Sequence, residues 1–99
     1  MRFHDYKVVE VSTIHISAND AKLLQHTFCP VSVYDYPEGF FIHVAGEKYR
    51  GLELKQDARS FGFSEAFANL LEMAHASGAK FLNLDADSFV YDELPKFQW

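Results

Sequence analysis

The feature that most constrains the fold is a hairpin signal between Val31 and Val44. Two alternating runs, Val-Ser-Val-Tyr-Asp-Tyr and Phe-Phe-Ile-His-Val, flank the sequence Tyr-Pro-Glu-Gly. Proline at the second turn position and glycine at the fourth are typical of a type I turn. Alternation with a period of two residues is typical of strands with one buried face. The segment therefore predicts two antiparallel strands joined by a tight turn.

The length of this turn decides which side chains share a face. With a two-residue loop, Val33 lies opposite Ile42 on one face and Tyr34 lies opposite Phe41 on the other. With a three-residue loop and a left-handed Gly39, Tyr34 lies beside Ile42 instead. We favour the two-residue loop because it collects the small apolar side chains on one face. The opposite face then carries four ring-bearing side chains, which are Tyr34, Tyr36, Phe41 and His43.

A strand and a helix are predicted ahead of the hairpin. Residues 6–12 are β-branched and aromatic, which favours a strand. A short helix over 18–27 follows, because Ser17 is a natural N-cap and Asp20 at the third helical position completes a variant of the capping box.

A second helix and a last strand are predicted after the hairpin. Residues 45–63 show no firm pattern, and only the stretch 49–54 indicates a brief extension of the sheet. Ser64 then caps the strongest helix of the chain, and Gly78 occupies the place of a left-handed residue after its end. The sequence Phe-Leu-Asn-Leu that follows predicts the final strand.

The resulting order of elements predicts the fold class. Strand, helix, strand, strand, helix, strand is the ferredoxin-like βαββαβ arrangement, an α+β two-layer sandwich with two helices on one face of an antiparallel sheet. A chain of 99 residues is expected to form a single domain over 1–99. Such a fold leaves one face of the sheet open, and the ring-bearing side chains of the hairpin are expected there.

The charge balance argues against two classes of partner. The chain has 9 Lys and Arg against 14 Asp and Glu, a net charge of −5. Nucleic acids and anionic membrane surfaces require clustered basic residues, so neither is an expected partner. No apolar run is long enough for a transmembrane helix, and the start lacks the apolar region of a signal peptide. With Cys29 as its only cysteine, the chain is expected to be cytoplasmic.

Two aspartates form the strongest candidate for a metal site. Asp85 and Asp87 directly follow the last predicted strand, where carboxylates two residues apart point the same way and can share a divalent cation. His15 is a candidate further ligand. The competing interpretation is an acidic surface turn. The five histidines show no ligand spacing among themselves. We predict no cofactor, since glycine-rich phosphate and dinucleotide motifs are missing from the sequence.

The aromatic side chains of the hairpin allow two interpretations. As an open surface, the set formed by Tyr34, Tyr36, Phe41 and His43 suits a protein partner, which includes a second copy of this chain. Alternatively, the C-terminal segment with Phe97 and Trp99 folds back and covers this surface.

Both ends of the chain resemble a family of short proteins of unknown function. The resemblance lies in Leu-Leu-Glu-Met-Ala at 70–74, Phe-Leu-Asn-Leu-Asp-Ala-Asp at 81–87, Leu-Pro-Lys-Phe-Gln-Trp at 94–99 and Val-Ser-Thr-Ile-His-Ile-Ser at 11–17. That family is carried by phages, plasmids and integrative elements of proteobacteria, and it usually has Asp-Arg-Asp-Gly where this chain has Asp-Ala-Asp-Ser. The resemblance implies an accessory gene of a mobile element, a context in which small acidic proteins often modulate a host factor.

Two functional hypotheses follow from the sequence. The first is a non-enzymatic protein-interaction module with Tyr34, Tyr36 and Phe41 as apolar anchors and with Asp85 and Asp87 as charges that steer a basic partner. The second is a metal-assisted hydrolase or small-ligand-binding domain that uses Asp85 and Asp87, with His15 as a further ligand.

Overall fold

The structure, a computed structural model, describes residues 7–26, 29, 31–44 and 51–98. This part of the chain forms a mixed α/β fold with a four-stranded sheet and three α-helices. The strands are β1 (Val8–Val11), β2 (Ser32–Tyr36), β3 (Gly39–His43) and β4 (Phe81–Asp85). The helices are α1 (Ala18–Leu24), α2 (Gly51–Phe61) and α3 (Glu65–Ala76), and a 3-10 turn at Thr13–His15 precedes α1.

The hairpin has the register expected for a two-residue loop. Val33 pairs with Ile42, Tyr34 pairs with Phe41, and the closing pair brings Tyr36 opposite Gly39. A Cβ atom at position 39 would overlap the backbone carbonyl of Leu84 on β4. Gly39 is therefore required for the hairpin to lie against the next strand, in addition to its place after the turn.

The two predicted N-caps are confirmed, and a buried carboxylate joins them. The Ser17 side chain accepts the backbone N–H of Asp20 at 3.0 Å, and the Asp20 carboxylate accepts the N–H of Ser17 at 3.0 Å. The same carboxylate accepts the backbone N–H of Ser64 at 2.8 Å and its hydroxyl at 2.6 Å, and Ser64 caps α3. Asp20 is fully buried and ties the N-termini of α1 and α3 together. Gly78 has the left-handed φ of +85° that was expected after α3.

Helix α2 corrects the prediction for the middle of the chain. The stretch 51–54, expected to extend the sheet, is the first part of α2, while residues 45–50 lie outside the described residues. Leu54 and Ala58 are buried and Phe61 packs against the core, a spacing of four and three residues that is typical of a helix. The polar side chains between them obscured this pattern in the sequence.

The ferredoxin-like strand order and the all-antiparallel sheet are corrected by the structure. The order is β1-β4-β3-β2, with β1 parallel to β4 and the other neighbours antiparallel. If one helix connects two strands, the second strand runs parallel to the first. The connection between β3 and β4 contains two helices, α2 and α3, and the second helix reverses the direction of the chain once more. Strand β4 therefore runs opposite to β3 and can pair with it directly, which displaces β1 to the edge.

The core lies on one side of the sheet. All three helices contribute to one cluster of buried side chains with the sheet, and Leu54, Phe67, Leu71, Ile42, Leu82 and Leu84 are among its fully buried members. Within the described residues, no helix has the length and apolar character needed to cross a bilayer.

Candidate functional site: the open face of the sheet

The side of the sheet away from the core, which we call the open face, carries the predicted surface residues. Along β4, Leu82 and Leu84 are buried, while the residues between and beside them are only partly covered. The pairing registers then assign the open face to Val8, Glu10, Ser32, Tyr34, Tyr36, Phe41, His43, Phe81, Asn83 and Asp85, none of which is buried. The expected set Tyr34, Tyr36, Phe41 and His43 therefore lies together on one surface.

The first half of the open face is aromatic. The rings of Phe41 and Phe81 are 4.7 Å apart, and the ring of His43 is 5.3 Å from that of Phe81. Tyr34 lies opposite Phe41 on the edge strand β2 and leaves 73% of its surface exposed. These side chains form an aromatic patch, with its most exposed ring at the edge of the sheet.

The second half of the open face is a hydrogen-bonded polar cluster. The Tyr36 hydroxyl donates to Asp85 Oδ2 at 2.8 Å and accepts from Asn83 Nδ2 at 2.7 Å. Asn83 Nδ2 also donates to the carbonyl of Phe40 at 3.2 Å. These bonds join three strands and hold the side chains in one arrangement, so this half of the surface is preorganised.

The pKa of the Tyr36 hydroxyl is raised above its ordinary value. Burial of the ring is the main cause, and the hydrogen bond to Asp85 together with the charges of Asp85 and Glu38 acts in the same direction. The hydrogen bond donated by Asn83 opposes this shift. The hydroxyl consequently stays protonated at neutral pH and remains a donor to the Asp85 carboxylate.

An acidic pocket of about 390 Å³ adjoins the polar cluster. Its lining residues are Glu10, Asn83, Asp85, Asp87, Ser88 and Phe89. The Asp85 carboxylate is already engaged, because its Oδ1 accepts the backbone N–H of Asp87 at 2.8 Å and its Oδ2 accepts Tyr36. This local bond gives Asp85 the role of a turn-forming residue, and Asp87 is exposed.

His15 lies apart from the two aspartates. It is fully buried, its Nδ1 is 2.8 Å from the carbonyl oxygen of Pro95, and its Nε2 accepts the backbone N–H of Tyr91 at 2.9 Å. These partners assign the proton to Nδ1. His15 thus fastens the C-terminal segment to the 3-10 turn and does not line the acidic pocket. The described residues contain no group of three or more side chains arranged to hold a metal ion.

The C-terminal segment does not cover the aromatic half of the open face in the described part of the chain. Phe97 donates its backbone N–H to the carbonyl of Ile14 at 2.8 Å, and Leu94 packs against the core beside Met73 of α3. The alternative that the C-terminal segment folds back over this surface is not found for Phe97, which lies beside Ile14, and Trp99 lies outside the described residues.

Several residues of this surface and its pocket escaped the sequence prediction. Four of them extend the aromatic patch or the acidic pocket, namely Glu10, Phe81, Asn83 and Phe89. Three of them could have been found from the period-two alternation of β1 and β4, which places them on the face opposite the buried Val11, Leu82 and Leu84. Their proximity to Tyr36 required the correct strand order.

Comparison with known proteins places the chain in a family without assigning an activity. Residues 8–99 match the model described as "Family of unknown function (DUF5983) C-terminal domain". The chain belongs to this family. No curated protein and no solved structure shows significant similarity to it.

Proposed function

We propose that this member of the family is a non-enzymatic protein-interaction module whose open face binds a basic segment of another protein. The observation that carries the proposal is the composition of the open face. An exposed Tyr34 and the contact between Phe41 and Phe81 adjoin the carboxylates of Glu10 and Asp85. The strand residues of this face include no Lys or Arg. Apolar anchors beside acidic side chains favour a basic, partly apolar ligand.

Each half of the open face has its own role in this proposal. Tyr34 and Phe41 provide apolar contact area, and aromatic side chains of this kind dominate the energetics of protein interfaces. Asp85 and Asp87 attract the partner electrostatically and receive its cationic groups. The hydrogen bonds that hold Tyr36 reduce the conformational entropy that the surface loses on binding.

The acidic pocket narrows the chemistry of the ligand further. Its volume of about 390 Å³ admits one long side chain, and its walls combine carboxylates with the exposed ring of Phe89. An arginine or lysine side chain fits this combination, because its charge meets the carboxylates and its stem and head group pack on the ring.

The cellular setting belongs to the same proposal. We place the protein in the cytoplasm as an accessory factor of a mobile element that modulates a host protein. The single Cys29 supports a reducing compartment. Burial raises the pKa of its thiol, which favours a packing role for Cys29 over a reactive one.

Selection from a random peptide display library tests the proposed function. The wild-type protein is expected to enrich peptides that combine Arg or Lys with apolar residues. The double variant Tyr34→Ala, Phe41→Ala is expected to bind the selected peptides at least about tenfold more weakly, since both anchors are lost. Met73→Ala removes an apolar side chain of α3 that is 43% exposed, and this matched control should bind as the wild type does.

Salt and charge variants test the steering role of the acids. Peptide affinity should fall as ionic strength rises, and the fall should be shallower in the variant Asp85→Asn, Asp87→Asn. Enrichment of acidic or neutral peptides, or equal binding by the Tyr34 and Phe41 double variant at unchanged melting temperature, would overturn the proposal.

A further inference from the structure

Among the described residues, strand β2 presents an unpaired edge. It is the last strand of the described sheet and pairs there with β3 alone. In a hairpin with a two-residue loop, the residues that flank the loop exchange backbone hydrogen bonds, and the next pair does not. Since Tyr36 and Gly39 form the closing pair, the backbone N–H and C=O groups of Val33 and Asp35 point away from β3. These groups have no hydrogen-bond partner among the described residues.

Asp35 is the one charged residue of this edge strand, and neither a proline, a lysine nor a bulge interrupts it. Natural edge strands are commonly interrupted by proline, lysine or a bulge. The sequence of β2 is Ser-Val-Tyr-Asp-Tyr, and its register with β3 is continuous over all five residues. The other edge strand, β1, is followed at once by a bond to the C-terminal segment, in which Ser12 donates its N–H to the carbonyl of Phe89 at 2.7 Å.

We propose that β2 pairs with β2 of a second copy of this chain, antiparallel and about a two-fold axis at Tyr34. In this register Val33 of each copy faces Asp35 of the other, and both outward-facing residues of both chains exchange hydrogen bonds. The register centred on Asp35 would oppose two carboxylates, and the register centred on Val33 leaves Asp35 facing Val31, which precedes the strand. The register centred on Tyr34 therefore gives hydrogen-bond partners to the outward-facing backbone groups of Val33 and Asp35 without placing like charges opposite each other.

The proposed pairing also gives the most exposed aromatic ring a partner. Tyr34 lies opposite Tyr34 of the second copy in a pair without backbone hydrogen bonds, where side chains come closest, and aromatic pairs at such positions stabilise sheets. A two-fold axis perpendicular to the sheet keeps both open faces on the same side. The two four-stranded sheets then form one continuous sheet with a doubled open face.

The dimer does not depend on the proposed function. The effect of ionic strength distinguishes dimerisation from the binding of a basic peptide. An interface made mainly by one five-residue strand is small, so we expect a dissociation constant of about 10–100 µM. Each copy carries a net charge of −5, so higher ionic strength should tighten the dimer. Binding of a basic peptide should instead weaken with salt.

Sedimentation of the full chain over a concentration series tests the dimer. Asp35→Pro removes the outward N–H and leaves the β3 pairing intact, so dimerisation should be lost at unchanged far-ultraviolet circular dichroism. Asp35→Ala keeps the N–H and should still dimerise. A wild-type protein that stays monomeric up to about 1 mM, ten times the upper limit expected for the dissociation constant, overturns the proposal. The proposal is also overturned if the Asp35→Pro variant folds and dimerises as strongly as the wild type.

Cysteine cross-linking tests the register itself. In a Cys29→Ser background, Tyr34→Cys places the two thiols at a cross-strand pair without backbone hydrogen bonds, where the Cβ atoms come as close as about 4.5 Å. This separation allows a disulfide, so a cross-linked dimer should form on mild oxidation. Ser32→Cys faces Tyr36 of the second copy in this register and should not cross-link. Cross-linking by Ser32→Cys but not by Tyr34→Cys contradicts the proposed register.

Discussion

The two faces of one sheet differ in what determines their residues. On the core side, Ile42, Leu82 and Leu84 are fully buried and pack against the helices. On the open face, strands β3 and β4 carry Phe41 and Asn83 at the intervening positions, which are only partly covered. The core side needs apolar side chains of the right volume, because burial there stabilises the fold. The open face has no such requirement, and the proposed binding function accounts for its aromatic and acidic residues.

Truncation of one side chain on each face tests whether the two faces differ in their contribution to stability. Leu82→Ala should lower the free energy of unfolding by about 3–4 kcal/mol, because it removes a fully buried side chain and leaves a cavity. Phe41→Ala on the neighbouring strand should cost about 1 kcal/mol or less. Urea denaturation measures both values. Equal losses would mean that the open face is as structural as the core side.

The second prediction concerns the buried carboxylate that joins α1 and α3. Asp20→Ala should lower the free energy of unfolding by about 2–3 kcal/mol, because it leaves the backbone N–H groups of Ser17 and Ser64 without their acceptor. Asn19→Ala, an exposed change in the same helical turn, serves as the control and should cost little. An Asp20→Ala variant with a nearly unchanged free energy of unfolding would show that the caps contribute less to stability than the packing of the helices does.

The third prediction uses the polar cluster of the open face. Tyr36→Phe should cost about 1 kcal/mol, since the hydroxyl bonds both Asp85 and Asn83. Because the pKa of Tyr36 is raised in the folded protein, its contribution is complete below the ordinary value of 10.0 and is lost as the pH rises above it. The wild type should therefore lose stability above about pH 10 more steeply than Tyr36→Phe. Identical alkaline profiles would contradict the role assigned to this hydroxyl.

The smallest expected effect is that of divalent cations. A cation at about a hundred times its dissociation constant adds roughly 2.7 kcal/mol, which would raise the melting temperature of a domain of this size by at least about 10 °C. We expect Mg²⁺, Mn²⁺, Ca²⁺ and Zn²⁺ to change it by less than about 1 °C, because the described residues place no third acidic or histidine side chain with Asp85 and Asp87 to hold a metal ion. A large increase that Asp85→Asn abolishes would favour the metal-assisted alternative.

The parts of the fold that depend on neighbouring residues could be predicted from the sequence. The hairpin register follows from the turn and the alternation around it, and the N-caps at Ser17 and Ser64 follow from side chains within one helical turn. The strand order could not be predicted without α2. Its apolar face consists of Leu54, Ala58 and Phe61 in a polar context, and missing one helix reverses the direction of β4.

The candidate site divides in the same way. The grouping of Tyr34, Tyr36 and Phe41 on one face depends only on the hairpin, so it could be predicted from the sequence. The bonds of Tyr36 with Asn83 and Asp85 depend on β4 lying next to β3, a pairing between residues 38 to 46 positions apart. The expected grouping of His15 with the aspartates is not found, because the C-terminal segment occupies both ring nitrogens of His15.

The most direct test of the account is an amide NMR titration of the isotope-labelled protein with the tightest basic peptide from the display selection. We predict that the largest amide chemical-shift changes fall on open-face residues of β2, β3 and β4, with Tyr34, Phe41 and Asn83 among them. The amide shifts of α2 and α3 should change little. Changes concentrated on the helices, or on the groove beside Met73 and Leu94, would contradict the assignment of binding to the open face.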